Sequence, residues 1–310
     1  MTIPVLDHRD TVPAALRGAV YALGNFDGFH LGHQAVVGAA VQAARAAGRP
    51  AIVATFDPHP MRLFRPDAPP FRLTTLAQRA ELFAAAGAAA MLVFHFDAAL
   101  AALSAGEFAA LLAGPLAASG VVTGEDFTFG KGRSGDTAAL AALGAQAGFF
   151  ARTVGPVSDA GGPISSSRIR AALQAGDCET ATRLMTRPFT IRGPVVHGAK
   201  LGRSIGYPTA NLDMGNYLRP AYGIYAVTAR LPGGSVVPGA ANLGIRPTFE
   251  PPVELLETFL FDWSGDLYGQ EIAIALHRYL RPEAKFDSLE ALTAQMDADC
   301  ARARALLADA

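Results

Sequence analysis

The sequence predicts two unlike folds in one chain: an α/β domain on a parallel sheet, then a small all-β unit with a terminal helix. Three observations carry this. The chain has 310 residues, more than a single hydrophobic core usually grows to. From residue 19 to about 155, short apolar runs alternate with Ala/Leu-rich helical patterns, the signature of a parallel sheet wrapped by helices. From "TRPFTIRG" onward the runs are joined by Gly/Pro turns, and no helical pattern returns until the last stretch.

Taken in order, the first domain's strands are "AVYAL", "AIVATF", "MLVFHF", "VVTG" and "FFARTV". Ser104, with Glu107 three residues on, is a capping box ahead of "FAALLAGPLAA". After "ISSSRIRAALQAG" and "CETATRLM" come "FTIRGPVV", "YGIYAVTARL", "SVVPGAAN", "LLETFLFDW" and "EIAIALHRYL" as strands. The closing helix "DSLEALTAQMDADCARARALLA" is expected to start at Asp287, with Glu290 completing its capping box. The boundary falls near residue 186, giving domains 1–185 and 187–310.

Lys plus Arg total 26 against 27 Asp plus Glu, without long runs of one sign, so no nucleic-acid or membrane surface is expected. Cys178 and Cys300 lie far apart and outside any metal-ligand spacing, which suits a reducing compartment. The N-terminus lacks a secretory pattern, and the most apolar window is broken by Glu107 and Pro115, so the expected location is the cytoplasm.

"GNFDGFHLGHQ", Gly24 to Gln34, stands where a strand hands over to a helix. A helix start presents unpaired N–H groups and partial positive charge, so a Gly-rich turn there suits a phosphate. His30 and His33, three apart, can face the same anion. A metal pair with a third ligand brought in from elsewhere, or two ordinary surface histidines, are the other readings.

"HLGH" after a strand resembles the His-x-Gly-His signature of the nucleotidylyltransferase superfamily. The full stretch is similar to the form found in bacterial bifunctional riboflavin kinase/FMN adenylyltransferases, also called FAD synthetases. That resemblance extends along nearly the whole chain through "TFDPHP", "RLTTLAQRAELF", "DFTFGKGRSGD", "ISSSRIR", "LGRSIGYPTANL", "NLGIRPTF", "ETFLFDWSGDLYG" and "LRPEAKFDSLEAL". It implies a Rossmann-like nucleotidylyltransferase domain followed by a small antiparallel β-barrel riboflavin kinase domain with a C-terminal helix. It also implies riboflavin, FMN and ATP as substrates, Mg²⁺ as cofactor, and FMN and FAD as products. Weak homo-oligomerisation is left open.

In the first half, the resemblance implies attack of the FMN phosphate on the α-phosphorus of ATP. His30 and His33 would hold the ATP phosphates and stabilise the pentacovalent state, with Gly24, Phe26 and Gly32 as further ATP- and phosphate-binding residues of the turn. Ser166, Ser167 and Arg168 would cradle the leaving phosphates, although from the residues alone an N-cap beside a solvated Arg is the favoured reading. The flavin side would take Asn25, Asp27, His59, Asp126, Lys131 and Arg133. Asp27 can instead fix its loop as an Asx-type turn, His59 can belong to a loop shaped by Pro58 and Pro60, and the Lys131–Arg133 segment can be a solvated turn.

In the second half, the implied reaction is γ-phosphoryl transfer from ATP to riboflavin. Glu257 would be the base, although a Glu in a strand commonly faces solvent. Thr209 and Asn211 of "PTAN" would hold Mg²⁺ and phosphate, with Gly198, Lys200, Gly202 and Arg203 in a Gly-rich flap. Asn242, Arg246 and Arg281 would contact nucleotide or flavin. Phe29, Tyr207, Thr258 and Phe259 depart from the residues common in the family and leave the matched polar residues intact.

Overall fold

The computed structural model of the chain describes residues 2–198, 206–246 and 253–308, with Arg246 and Val253 as backbone only. It divides into two compact units, Met1–Pro69 with Thr74–Ser165, and Pro70–Leu73 with Ser166–Ala310.

Six parallel strands form the sheet of the first unit: β1 (Val5–Asp7), β2 (Val20–Leu23), β3 (Ala51–Asp57), β4 (Ala90–His95), β5 (Gly120–Gly124) and β6 (Phe150–Val154). Their order is β1-β4-β3-β2-β5-β6, and a small antiparallel pair, β7 (Ser158–Asp159) and β8 (Gly162–Pro163), follows β6. Five are the predicted apolar runs; β1, three residues long, is too short to show a pattern. The helices are α1 (Leu31–Ala46), α2 (Pro60–Phe64), α3 (Leu76–Ala85), α4 (Ala98–Ala102), α5 (Ala105–Ala113) and α6 (Thr137–Ala147).

Helices cover both faces of this sheet, which is why its strands read as continuous apolar runs rather than alternating ones. Val20, Ala22, Val53 and Met91 pack with Val37 and Ala40 of α1 and Phe83 of α3. Tyr21, Leu23, Ile52 and Leu92 point the other way, into Phe108 and Leu112 of α5 and Leu140 of α6. The Ser104 capping box is present: its hydroxyl accepts from Glu107 N at 3.2 Å and its N–H donates to the Glu107 carboxylate at 2.8 Å. From β2 the chain winds outward through β3 and β4, then returns to place β5 on β2's other flank. A crevice at the carboxyl ends of β2 and β5 follows from that reversal.

The second unit begins with α7 (Ser166–Gln174) and α8 (Cys178–Met185). They are tied to its sheet by an Arg278–Glu179 ion pair at 3.0 Å, and to the loop ahead of its third strand by Ala221 N donating to Leu173 O at 3.0 Å. The sheet is antiparallel throughout: β9 (Phe189–Pro194), β10 (Thr209–Asp213), β11 (Gly223–Arg230), β12 (Val236–Arg246), β13 (Val253–Leu260) and β14 (Glu271–Arg281), in the order β10-β13-β12-β11-β14-β9. Just past β9, Val196 N donates to Asn211 O of β10 at 2.8 Å, bringing the two edge strands together so that the sheet curls into a barrel. Leu212, Val227, Leu243, Leu256, Ile274 and Leu276 fill the inside and are fully buried.

The last helix, α9 (Leu289–Ala308), lies on the outer face, packing Ala303 against Ala226, Ala240, Phe261 and Leu280. It starts one residue later than expected. Ser288, not Asp287, is the cap, its hydroxyl accepting from Ala291 N at 3.2 Å. Two adjacent residues with capping side chains compete for one helix start, and spacing alone does not choose between them.

Gly223 opens β11 at φ +145°, and a Cβ there would overlap the carbonyl oxygen of Arg281. Gly223→Ala should therefore cost about 2–4 kcal/mol in urea unfolding of the second unit, and a loss below about 0.5 kcal/mol would show that the strand pair yields. His277 bonds Thr228 Oγ1 through Nε2 at 2.9 Å, and burial lowers its pKa below the ordinary 6.5. The unfolded chain takes up that proton first, so the stabilisation is present above the unfolded pKa and is lost as pH falls from there through the lower folded pKa. His277→Gln should flatten the acid side of the unfolding-temperature profile; an unchanged slope would contradict this.

Candidate active sites

The turn from β2 into α1 sits at the reversal crevice and carries the two histidines. His30 is the N-cap of α1: its Nδ1 accepts the His33 backbone N–H at 3.4 Å. A ring that accepts at Nδ1 carries its proton at Nε2. The rings of His30 and His33 stack with centroids 3.6 Å apart and planes 20° apart, so the i, i+3 spacing does place them together. Among the described residues, no group of three or more His, Cys, Asp or Glu is placed to hold a metal ion.

Three residues of this turn have left-handed backbone: Phe26 at φ 49°, Gly28 at 83° and Phe29 at 41°. Such a conformation in a bulky residue costs roughly 1–3 kcal/mol and survives only where the surroundings over-determine it. Phe83 supplies part of the hold, meeting Phe26 and Phe29 edge-on at 5.8 Å and 5.2 Å. Asp27, only 3% exposed, accepts from Thr74 N at 2.9 Å and Thr74 Oγ1 at 3.2 Å, an arrangement that fixes the loop. Asn25 is exposed at the crest, and Gly24 leads into the turn. At Gly32 a Cβ would stand 3.2 Å from the His30 ring and 3.5 Å from Ile164 O, so the segment leading into "SSSR" passes beside the histidine turn.

His59 caps α2 through Nδ1, accepting from Met61 N at 3.2 Å, just past the carboxyl end of β3. Asp126, Lys131 and Arg133 are exposed on the loop after β5, on the other side of the crevice. That loop is pinned at its base by paired Phe129 and Gly135 backbone bonds of 2.9 Å. Ser166, Ser167 and Arg168 open α7 in the second unit.

In the second unit the strand register assembles a polar row. Asn211 of β10 and Asn242 of β12 both stand directly opposite Glu257 of β13. Cross-strand partners share a face, so the carboxylate lies between two amides on the outer face of the barrel, with Thr209 two residues along β10 on the same side. The Oδ1 atoms of Asn211 and Asn242 are buried without a hydrogen-bond partner. A buried amide oxygen left unsatisfied is costly and invites a cation or a donor. Gly198 lies against the Asn211 side chain, where a Cβ would stand 2.7 Å from its amide nitrogen.

Two contacts from α9 reach the ends of this region. Tyr207, which precedes "PTAN", donates its hydroxyl to Asp297 and meets Phe259 edge-on at 4.9 Å. Hydrogen bonding to Asp297 pushes its pKa up to about 12. Arg281 forms a bidentate pair with Asp299, Nε to Oδ1 at 3.0 Å and Nη2 to Oδ2 at 2.6 Å, and Gln295 donates to Oδ1 at 3.0 Å. Lys200, Gly202 and Arg203 lie outside the described residues, as does the Arg246 side chain.

Sequence reasoning passed over Thr74, Arg79 and Asp299, which hold site residues without belonging to the expected chemistry. The first two lie in "RLTTLAQRAELF", Thr74 just ahead of α3 and Arg79 within it, and nothing in those residues alone marks them as facing the turn.

A FAD synthetase family model matches residues 12–168, and a riboflavin kinase model matches residues 185–307. The bifunctional riboflavin kinase/FMN adenylyltransferase of Pseudomonas fluorescens is 40% identical over 294 residues, covering 94% of each chain. Those of Escherichia coli K12 and Bacillus subtilis are each 39% identical, covering 94% and 91% of this chain and 93% and 90% of their own. A crystal structure of a macrolide-efflux protein from Streptococcus pneumoniae aligns with a TM-score of 0.86 at 32% identity, over 96% of this chain and 97% of that one. No helix among the described residues is long and apolar enough to cross a membrane. With both family models matched in order and relatives alike over nearly their whole length, the chain belongs to the bifunctional riboflavin kinase/FMN adenylyltransferases.

Proposed function

We propose that the chain phosphorylates riboflavin with ATP to give FMN and ADP, then adenylylates FMN with a second ATP to give FAD and pyrophosphate. Residues 1–185 carry the adenylyltransferase and 187–310 the kinase, in the cytoplasm, where the free thiols of Cys178 and Cys300 fit a reducing milieu. The observation that carries the reading is the stacked His30–His33 pair at the start of α1, at the sheet's reversal crevice.

Adenylyl transfer needs positioning and charge neutralisation more than a covalent nucleophile. His30 and His33 donate to the ATP phosphates and steady the charge as the FMN phosphate attacks the α-phosphorus. Gly24, Phe26 and Gly32 keep the turn's backbone close to the nucleotide. Ser166, Ser167 and Arg168 hold the departing pyrophosphate with hydroxyls and a guanidinium. Asn25, Asp27, His59, Asp126, Lys131 and Arg133 serve the flavin side, Asp27 by shaping the turn.

In the barrel, Glu257 takes the proton of the ribityl hydroxyl as that oxygen attacks the γ-phosphorus. Asn211 and Asn242 stand opposite it on the two neighbouring strands. Magnesium fits the oxygen donors beside it, Thr209 Oγ1 and the orphaned Asn211 Oδ1, since a hard cation takes oxygen ligands. When bound it neutralises phosphate charge. Gly198, Lys200 and Gly202 approach the phosphates, and Asn242, Arg246 and Arg281 meet nucleotide or flavin.

A time course by reversed-phase chromatography, with riboflavin, ATP and Mg²⁺, tests the reading. FMN with ADP should appear first, then FAD with pyrophosphate; unchanged riboflavin held on the protein would instead mark a flavin sensor. His30→Ala should lower FAD formation by about 100-fold or more and leave FMN formation intact. Glu257→Gln should do the reverse, lowering riboflavin phosphorylation by about 100-fold or more while FMN supplied directly is still turned into FAD. Normal FAD formation by the first variant, or normal FMN formation by the second, would remove that residue from its role.

A further inference from the structure

The motif "RLTTLAQRAELF" has no part in the chemistry above, yet its side chains lie directly behind the histidine turn. Thr74 and Arg79 are 4% and 3% exposed, and Thr55 of β3 is fully buried beside them. The Thr74 hydroxyl accepts from Gly28 N at 3.0 Å and donates to Asp27 Oδ1 at 3.2 Å. Arg79 Nη1 donates to Thr55 Oγ1 at 2.8 Å and to Asn25 O at 3.2 Å, while Nη2 donates to Thr74 O at 3.4 Å. Thr55 Oγ1 donates in turn to Asn25 O at 2.7 Å.

We propose that Thr74 and Arg79 are positioning residues for adenylyl transfer, a bracket that holds the strained turn and thereby sets His30 and His33. This rests on the reading of that turn as the adenylyltransferase site.

A residue that merely filled the core would bond to its own helix or to nothing. These bonds run instead to the turn itself: to the Asn25 carbonyl before the first left-handed residue, to the Asp27 carboxylate, and to the Gly28 amide. Both sides of Phe26 are thus held, and Phe29, the next strained residue, leads straight into the His30 cap. A planar guanidinium reaches Thr55, Asn25 and Thr74 at once with a fixed fork, which a single ammonium cannot reproduce. Its buried charge behind the turn also adds positive potential where the phosphates would sit. Without the bracket the strain relaxes, and small displacements of groups that must align for in-line transfer are expensive in rate.

The test uses the full chain with Thr74→Val, Arg79→Lys, Arg79→Met and His30→Ala. Riboflavin kinase activity and thermal unfolding of the same samples report folding. Thr74→Val and Arg79→Lys should lower kcat for FAD formation by about tenfold or more. The KM for ATP should move less than about threefold, and kinase activity should stay within about twofold. Arg79→Lys should retain more activity than Arg79→Met. A fall in FAD formation no larger than the fall in kinase activity, or one that only follows the unfolding temperature, would overturn the bracket. If His30→Ala loses FAD formation while Thr74→Val and Arg79→Lys keep it, the site stands and the positioning role is wrong. If His30→Ala still makes FAD, the site reading fails and the bracket falls with it.

Discussion

The turn between β2 and α1 must keep two phenylalanines in left-handed backbone and still deliver a histidine ring onto the first amides of a helix. Local sequence preference opposes this, because only glycine accepts such a conformation readily. The turn exists because packing and buried hydrogen bonds leave it no alternative: Phe83 against both rings, Thr74 on Asp27 and Gly28, Arg79 on Asn25. The parallel sheet decides where this happens. The reversal of winding between β2 and β5 opens a crevice at the strand ends, and the loop after β5 flanks the opposite side.

The second unit reaches a comparable result by a different route. There the constraint is register: one residue of slip in β13 would send Glu257 into the barrel and expose the leucines. The fully buried Leu212, Leu243 and Leu256 therefore fix the position of the carboxylate and its two amides as firmly as any direct contact does. The terminal helix adds the second restraint, with Asp297 on Tyr207 just ahead of β10 and Asp299 on Arg281 at the end of β14.

Much of this was legible in the sequence, for identifiable reasons. Buried parallel strands are apolar on both faces, so "AIVATF" and its companions stand out, and helix starts carry short-range capping chemistry, as at Ser104. The histidine pair could be placed because its spacing and its strand-to-helix setting are local. What depends on distant partners was not legible from the residues alone. Nothing in "LLETFLFDW" says that two asparagines from other strands will flank its Glu, and only the family resemblance singled that residue out. Nothing in "RLTTLAQRAELF" says that Arg79 turns inward, since an arginine in a helix usually faces solvent, and only the fold buries it. The choice of Ser288 over Asp287 as a cap escaped for a local reason, two good candidates standing one residue apart.

His30 has a double employment: the ring proposed to face the nucleotide is also the ring that terminates the helix. Helix-end fraying and loss of the ring's orientation are therefore a single event. The His33 amide donates to the His30 imidazole, so the capping rotamer contributes to its shielding from solvent exchange. Its exchange rate is then a built-in gauge of how well the site is formed, readable in the resting protein with no turnover at all.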